Sequence, residues 1–119
     1  MLPRHHRLTR PDDFRRTIRG GHKAVTPTVV VHCLAPQSSG AVPARVGITV
    51  NKAVGGSVVR HRVARQIRHA VAADLAALPT GSTWVIRALP GAGDSTGNAP
   101  STVAFDVATA ISSIRGRLG

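Results

Sequence analysis

The chain is short of the residues on which most protein chemistry depends. Its 119 residues include one cysteine, one tryptophan, two phenylalanines and no tyrosine. A lone Cys33 excludes an intramolecular disulfide and a cysteine-rich zinc site. Its setting in a Val-rich run marks it as buried and inert. Acid is equally scarce, with five aspartates against 16 Lys+Arg. The aspartates form no clustered pair to hold Mg²⁺ or to divide acid and base roles, and no nucleophile–base–orienter set is visible. The six histidines are scattered. His5 and His6 are adjacent in a basic arm, and His61 and His69 stand two helical turns apart, too far to share an ion. Gly91-Ala92-Gly93 lacks the following helix and Lys of a phosphate loop. No metal site and no catalytic residue is expected in the protein itself. Long apolar runs are missing too. Val29 to Val31 is typical, far below the ~20 residues of a membrane helix. MLPRHHRLTR has charges with no apolar stretch behind them, so no secretory signal is expected, and the cytoplasm is the expected location.

What the chain has in excess is positive charge, and it is segregated. The formal net charge is +11. Residues 1–70 carry thirteen Lys and Arg against Asp12 and Asp13, whereas residues 71–119 balance Arg87, Arg115 and Arg117 against Asp74, Asp94 and Asp106. All the excess therefore lies in the first 70 residues, the footprint of a polyanion binder. Arginine outnumbers lysine fourteen to two, and guanidinium forks suit phosphate and stack on bases. With 42% hydrophobic residues the chain has a core to bury, and this length fits one domain. The expected organisation is a flexible basic arm over residues 1–9 and a single domain over 10–119.

The local patterns predict an α+β fold. Pro11 with Asp12 and Asp13 suits the start of a helix that places Phe14 and Ile18 on one face and stops at Gly20-Gly21. Lys23 to Leu34 reads as strand, with Pro27 making it two short strands or one edge strand. Arg45 to Asn51 is a strand with Val46, Ile48 and Val50 on one side and Arg45, Gly47, Thr49 and Asn51 on the other. The Gly55-Gly56 turn then opens a helix, with Ser57 its expected N-cap and its end near Leu78. Projected at 100° per residue, Val59, Val63, Ile67, Ala70, Val71, Leu75 and Leu78 fall within roughly 0–160°, while His61, Arg62, Arg65, Arg68 and His69 fall within roughly 180–300°. Ser82 to Leu89 reads as strand, 90–100 as a flexible loop, and Ser101 to Leu118 as a helix capped by Ser101. The order αβββαβα gives one sheet with helices packed on it.

The cationic stripe could lie in a duplex groove, along an RNA backbone or on an anionic membrane. The opposite face is ordinary core with almost no aromatics, which disfavours the membrane. Trp84 and Phe105 are expected in the core. Phe14, flanked by Arg15 and Arg16, is the candidate for stacking on a base.

From Arg45 to Arg68 the sequence RVGITVNKAVGGSVVRHRVARQIR resembles the signature of the bacterial ribonuclease P protein subunit: a strand of V-G-x-x-V type, a Lys, a glycine turn, and a helix carrying Arg-Asn-Arg with further basic residues. Arg7-Leu8-Thr9, Asp13-Phe14 and Gly20-Gly21 match the flanks. The resemblance covers about residues 4–89. It departs at His61, where the family carries Asn, at Ala64, where it carries a basic residue, and at Ile18 and His32, where it often carries aromatics. The resemblance implies a left-handed βαβ crossover and the small subunit of a ribonucleoprotein, a monomer in a 1:1 complex. The large RNA of that particle, with Mg²⁺, removes the 5′ leader of precursor tRNA. It also implies that Lys52, Arg60, His61, Arg62, Arg65 and Arg68 contact the RNA subunit, and that Phe14, Arg15, Ile18, His32 and Asn51 contact the leader. The alternative is a structural ribosomal-RNA- or DNA-binding protein that uses the same helix without processing activity; a stand-alone nuclease is disfavoured for want of carboxylates.

Overall fold

The computed structural model describes residues 6–36, 43–94 and 102–118. Helix α1 (Pro11–Gly20) is followed by β1 (His22–Val25), β2 (Val29–Leu34), β3 (Arg45–Thr49), α2 (Ser57–Asp74), β4 (Thr83–Ala88) and α3 (Thr102–Leu118). The run from Lys23 to Leu34 is thus two strands, paired antiparallel as a hairpin with Thr26, Pro27 and Thr28 at its turn. Proline there donates no ladder bond, so the pairing stops where it stands. The strand order is β1-β2-β4-β3. β2 and β4 are antiparallel and β3 and β4 parallel, which makes α2 the crossover between two neighbouring strands.

Alternation decides which side chains meet which helix. Val29, Val31 and Cys33 of β2, Val46 of β3, and Trp84, Ile86 and Ala88 of β4 share one sheet face. They close a core with Val63, Ile67 and Val71 of α2 and with Val103, Val107, Ala110, Ile111 and Ile114 of α3. Each of those three α2 residues is wholly buried, as their place on the apolar side of the wheel requires. Val59, Ala70 and Leu75 pack at its margin, as do Ile48 and Val50. Asp106 ties α3 to the hairpin: its carboxylate accepts from the Thr28 hydroxyl at 2.6 Å and the Thr28 amide at 3.2 Å. Burial pushes the Cys33 thiol up to about 12, so it stays protonated and inert.

The other sheet face is crossed by α1. The Phe14 ring stands over Gly47 of β3, Thr17 over Thr83 of β4, and Gly20 beside Leu34 of β2. The Thr17 hydroxyl donates to the Asp13 carbonyl at 2.7 Å and therefore accepts from the Thr83 hydroxyl, also at 2.7 Å. A buried polar pair is so satisfied without charge.

Several boundaries differ from expectation. The N-cap of α2 is Gly56, with Ser57 the first helical residue and no side-chain cap bond. The helix ends at Asp74 and tightens into a 3-10 turn, Leu75–Ala77, before Leu78. Another 3-10 turn, Pro90–Asp94, takes the start of the expected loop; the rest of that loop and the Ser101 cap lie outside the described residues. Phe105 is not core: it is 71% exposed. The inward stripe of α3 is filled by Val103, Val107 and Ala110, and Phe105 falls between their rows. Residues 6–8 are not a free arm. Leu8 is buried and its amide donates to the Val46 carbonyl at 3.0 Å, Arg7 bridges Val46, and His6 Nδ1 donates to the Ala44 carbonyl at 2.7 Å. Residues 1–5 of the arm lie outside the described residues.

Candidate nucleic-acid interface

The local sequence explains why α2 begins where it does. β3 ends at Thr49, and Asn51 opens a turn in which its own Oδ1 accepts from the Ala53 amide at 3.1 Å. Gly55 then takes φ 154°, a backbone conformation that side chains rarely allow, and α2 follows. Its first turn carries no acid that could pair with the arginines that follow. His61, Arg62, Arg65, Arg68 and His69 then lie on the side away from the core, while Arg60, one residue after Val59, is half-buried in the first turn on the apolar arc. Among the described residues no carboxylate pairs with any of the four arginines. Asn51 and Lys52 are both exposed at the turn, beside the start of the helix.

Arg62 is half-buried, as are Arg60 and Arg68, and its guanidinium donates to the Gly93 carbonyl at 3.4 Å. The contact joins α2 to the 3-10 turn that follows β4, so Arg62 also braces the scaffold.

β3 is an edge strand, and its outer side is where the interface gathers. A groove of about 650 Å³ is lined there by Phe14, Gly47, Ile48, Arg65, Arg68 and His69, with Arg7 and His61 at its margin. A second groove of about 360 Å³ adjoins it, sharing Ile48, His61 and Arg68 and adding Arg60 and Ala64. The glycine at 47 is what admits the aromatic ring. A Cβ built at Gly47 would lie 2.3 Å from the Phe14 ring. The sequence signal was available, because glycine inside a strand marks a close approach.

The residues expected at the leader divide into groups. Phe14 is half-buried and shares one groove with Arg65 and Arg68. Ile18 is 38% exposed on α1. Arg15 does not accompany them: one residue from Phe14 is 100° around the helix, and Arg15 sits on the outer face, ion-paired with Asp12. His32 lies on the sheet face that α1 crosses but is buried, 4% exposed. Burial, and then the nearby charges of Arg87 and Lys23, hold its pKa below the usual histidine value. Lys23 and Arg87 are exposed on that same face and were missed as candidates, although the period-2 alternation of β1 and β4 locates them. Arg7 and Thr9 were missed as groove residues because nothing in the sequence tells where residues 6–9 dock, whereas His69, read with the cationic stripe, lines the same groove.

The arrangement offers guanidinium groups for phosphates, one aromatic for a base and no converging metal ligands: among the described residues no three His, Cys or Asp side chains gather. The comparisons then decide the lineage. The sequence model of one family, Ribonuclease P, matches residues 2–102. The chain belongs to the ribonuclease P protein family. The ribonuclease P protein component of Streptomyces bikiniensis is 50% identical over 101 residues, spanning 80% of this chain and 82% of that protein. That of Mycolicibacterium vanbaalenii is 41% identical over 119 residues, all of this chain and 98% of its own length. The fold is shared with solved ribonuclease P proteins. The Staphylococcus aureus structure superposes with TM-score 0.70 at 20% identity, covering 95% of this chain and 94% of its own. The Thermotoga maritima structure gives TM-score 0.72 at 18% identity, covering 92% and 96%. Membership makes the chain a component of ribonuclease P and sets aside the structural ribosomal or DNA-binding alternative. No described helix is long and apolar enough to cross a membrane.

Proposed function

We propose that this protein is the non-catalytic subunit of a ribonuclease P ribonucleoprotein in the cytoplasm, acting as a monomer bound to one RNA subunit. It holds that RNA through the ridge of α2 and positions the single-stranded 5′ leader of precursor tRNA, whose removal the RNA performs. The observation that carries the reading is the ridge itself: four arginines on one helix, unmatched by any described carboxylate, running into a groove floored by Gly47 and walled by Phe14. Unpaired guanidinium groups repel one another and gain only when a polyanion arrives.

In this reading Arg60, Arg65 and Arg68, with Lys52 and His61 beside them, take phosphates of the RNA subunit. Arg62 contributes while bracing Gly93. Phe14 stacks on a base, Ile18 and the Asn51 turn border the path, and the sheet face beyond α1 receives the rest of the leader. Mg²⁺ is, in this reading, bound and used by the RNA subunit. The protein lowers the Mg²⁺ demand by screening phosphate repulsion where the two RNAs meet.

Reconstitution tests it. The protein is mixed with the ribonuclease P RNA and precursor tRNA at low Mg²⁺, and mature 5′ ends are counted. Faster cleavage than with RNA alone is expected. Cleavage by the protein without RNA, or tight RNA binding with no gain in cleavage, would overturn the proposal.

A further inference from the structure

On the sheet face crossed by α1, two buried side-chain nitrogens lack a hydrogen-bond partner among the described residues, Arg45 Nε, whose guanidinium also reaches Asp13, and His32 Nε2, whose side chain has no ion pair. His32 is 4% exposed, and its Nε2 is shielded from solvent with no hydrogen-bond partner among the described residues. A buried polar nitrogen without a partner is costly to keep, and such atoms call for an explanation. Its surroundings are specific. Lys23 is its cross-strand partner on β1. On the other side it pairs with Val85 of β4, and Arg87 stands two residues further along on the same face. Both cations are exposed. The remaining side chains of this face nearest to it, Val30, Val85 and Thr83, carry no charge.

The charges on the other packed elements do not offset this pair. Asp13 of α1 is held by Arg16 at 2.6 Å and Arg45 at 3.7 Å, and Arg45 belongs to β3, two strands from β2. Asp12 is taken by Arg15 on the outer face of α1, and Arg19 there is a further cation. Burial first, and then the charges of Arg87 and Lys23 with no described carboxylate beside them, lower the proton affinity of the His32 ring in the free protein.

We propose that Lys23, His32 and Arg87 form a phosphate site for single-stranded RNA, and that filling the site charges His32. The proposal rests on the reading that the 5′ leader lies on this face. A phosphate oxygen drawn between the two cations supplies the acceptor that Nε2 lacks and cancels the charges that disfavour its proton. The site shares its face with Gly47, the floor under Phe14, about 10 Å away across two strand spacings, so one strand of nucleic acid reaches both. The sign follows by linkage. Bound RNA raises the proton affinity of His32, so proton uptake accompanies binding and the leader is held more tightly as pH falls through the histidine range.

The test uses the reconstituted holoenzyme and two substrates blocked against cleavage at the scissile phosphate, precursor tRNA with a leader of several nucleotides and tRNA without one. The affinity advantage given by the leader is measured across the histidine range. It is expected to grow as pH falls, by up to about tenfold for each unit by which binding raises the His32 pKa. His32→Phe should flatten that growth. Arg87→Gln, at an exposed position, covers the case in which the buried variant folds poorly: it should lower the leader advantage and raise the midpoint of the His32 ring signal in NMR titrations of the free protein. In wild type, a short oligoribonucleotide should raise that midpoint too. A leader advantage that exists but is equal at every pH, or is unchanged in both variants, overturns the proton-coupled site alone. No leader advantage at any pH overturns the leader reading beneath it.

Discussion

Helices α1 and α2 are both arginine-rich, yet they are built for opposite ends. On α1, Arg15 pairs with Asp12 and Arg16 with Asp13, each three residues on, and Asp13 also reaches Arg45. The two aspartates occupy the first turn, where the helix dipole favours them. The charge of α1 is thus partly spent inside the protein, holding the helix and its attachment to β3. Helix α2 has no acid in its first turn and no carboxylate partner for any of its arginines among the described residues. Counting arginines alone, three on α1 and four on α2, gives these helices similar weight. Pairing separates a helix that is neutralised at home from one whose charge awaits a partner.

The sharpest way to break this comparison is to remove equal charge from each helix. Arg65→Ala with Arg68→Ala should weaken binding of the RNA subunit on the order of tenfold to a hundredfold at moderate salt and reduce the salt slope of log K by about two. Arg15→Ala with Arg16→Ala removes the same charge and should change both quantities far less. Filter-binding or fluorescence titrations at several salt concentrations supply the slopes. Equal slopes for the two double variants would show that pairing on α1 does not withdraw its arginines from RNA.

Much of this was legible in the sequence. The amphipathic stripe of α2, the alternation of β3, the hairpin options around Pro27 and the inertness of Cys33 all follow from periodicity and residue chemistry, and each is local. What was not legible depends on distant parts of the chain. Phe14 and Arg65 belong to one groove only because β3 is an edge strand with α1 and α2 on its two sides, and no local pattern states the strand order. His32 is buried because of what packs over its face. Phe105 is exposed because α3 needs only one stripe, already filled by Val103, Val107 and Ala110. The hand of the crossover is an expectation that entered through the resemblance alone, since residue patterns carry no information on it.

The shared groove offers a finer cut. Gly47→Ala adds one methyl group that would lie 2.3 Å from the far end of the Phe14 ring. The ring can swing out, so the cost in folding is modest, but its place over β3 is lost. Gly47→Ala should therefore reproduce the loss expected of Phe14→Ala, about 1–3 kcal/mol of precursor binding if the ring stacks on a base, while RNA-subunit affinity stays near wild type. If both variants instead weaken the RNA subunit as strongly as Arg65→Ala with Arg68→Ala, the groove belongs to the RNA subunit throughout. Phe14 and the arginines then act as one site rather than as neighbours serving two RNAs.

The smallest expected effect sharpens the α1 side. Asp12→Asn frees Arg15 without touching the core, because that pair is largely exposed. Exposed i, i+3 pairs are worth a few tenths of a kcal/mol and a first-turn carboxylate about as much again, so the melting temperature should fall only slightly. Arg15 would then be an unpaired cation on the outer face of α1, resembling those of α2 in charge but not in placement. If placement is what matters, RNA affinity rises only by the weak, salt-sensitive amount expected of one added surface charge. A large gain, persisting in high salt, would mean that the outer face of α1 also lies against RNA and that Asp12 normally restrains it.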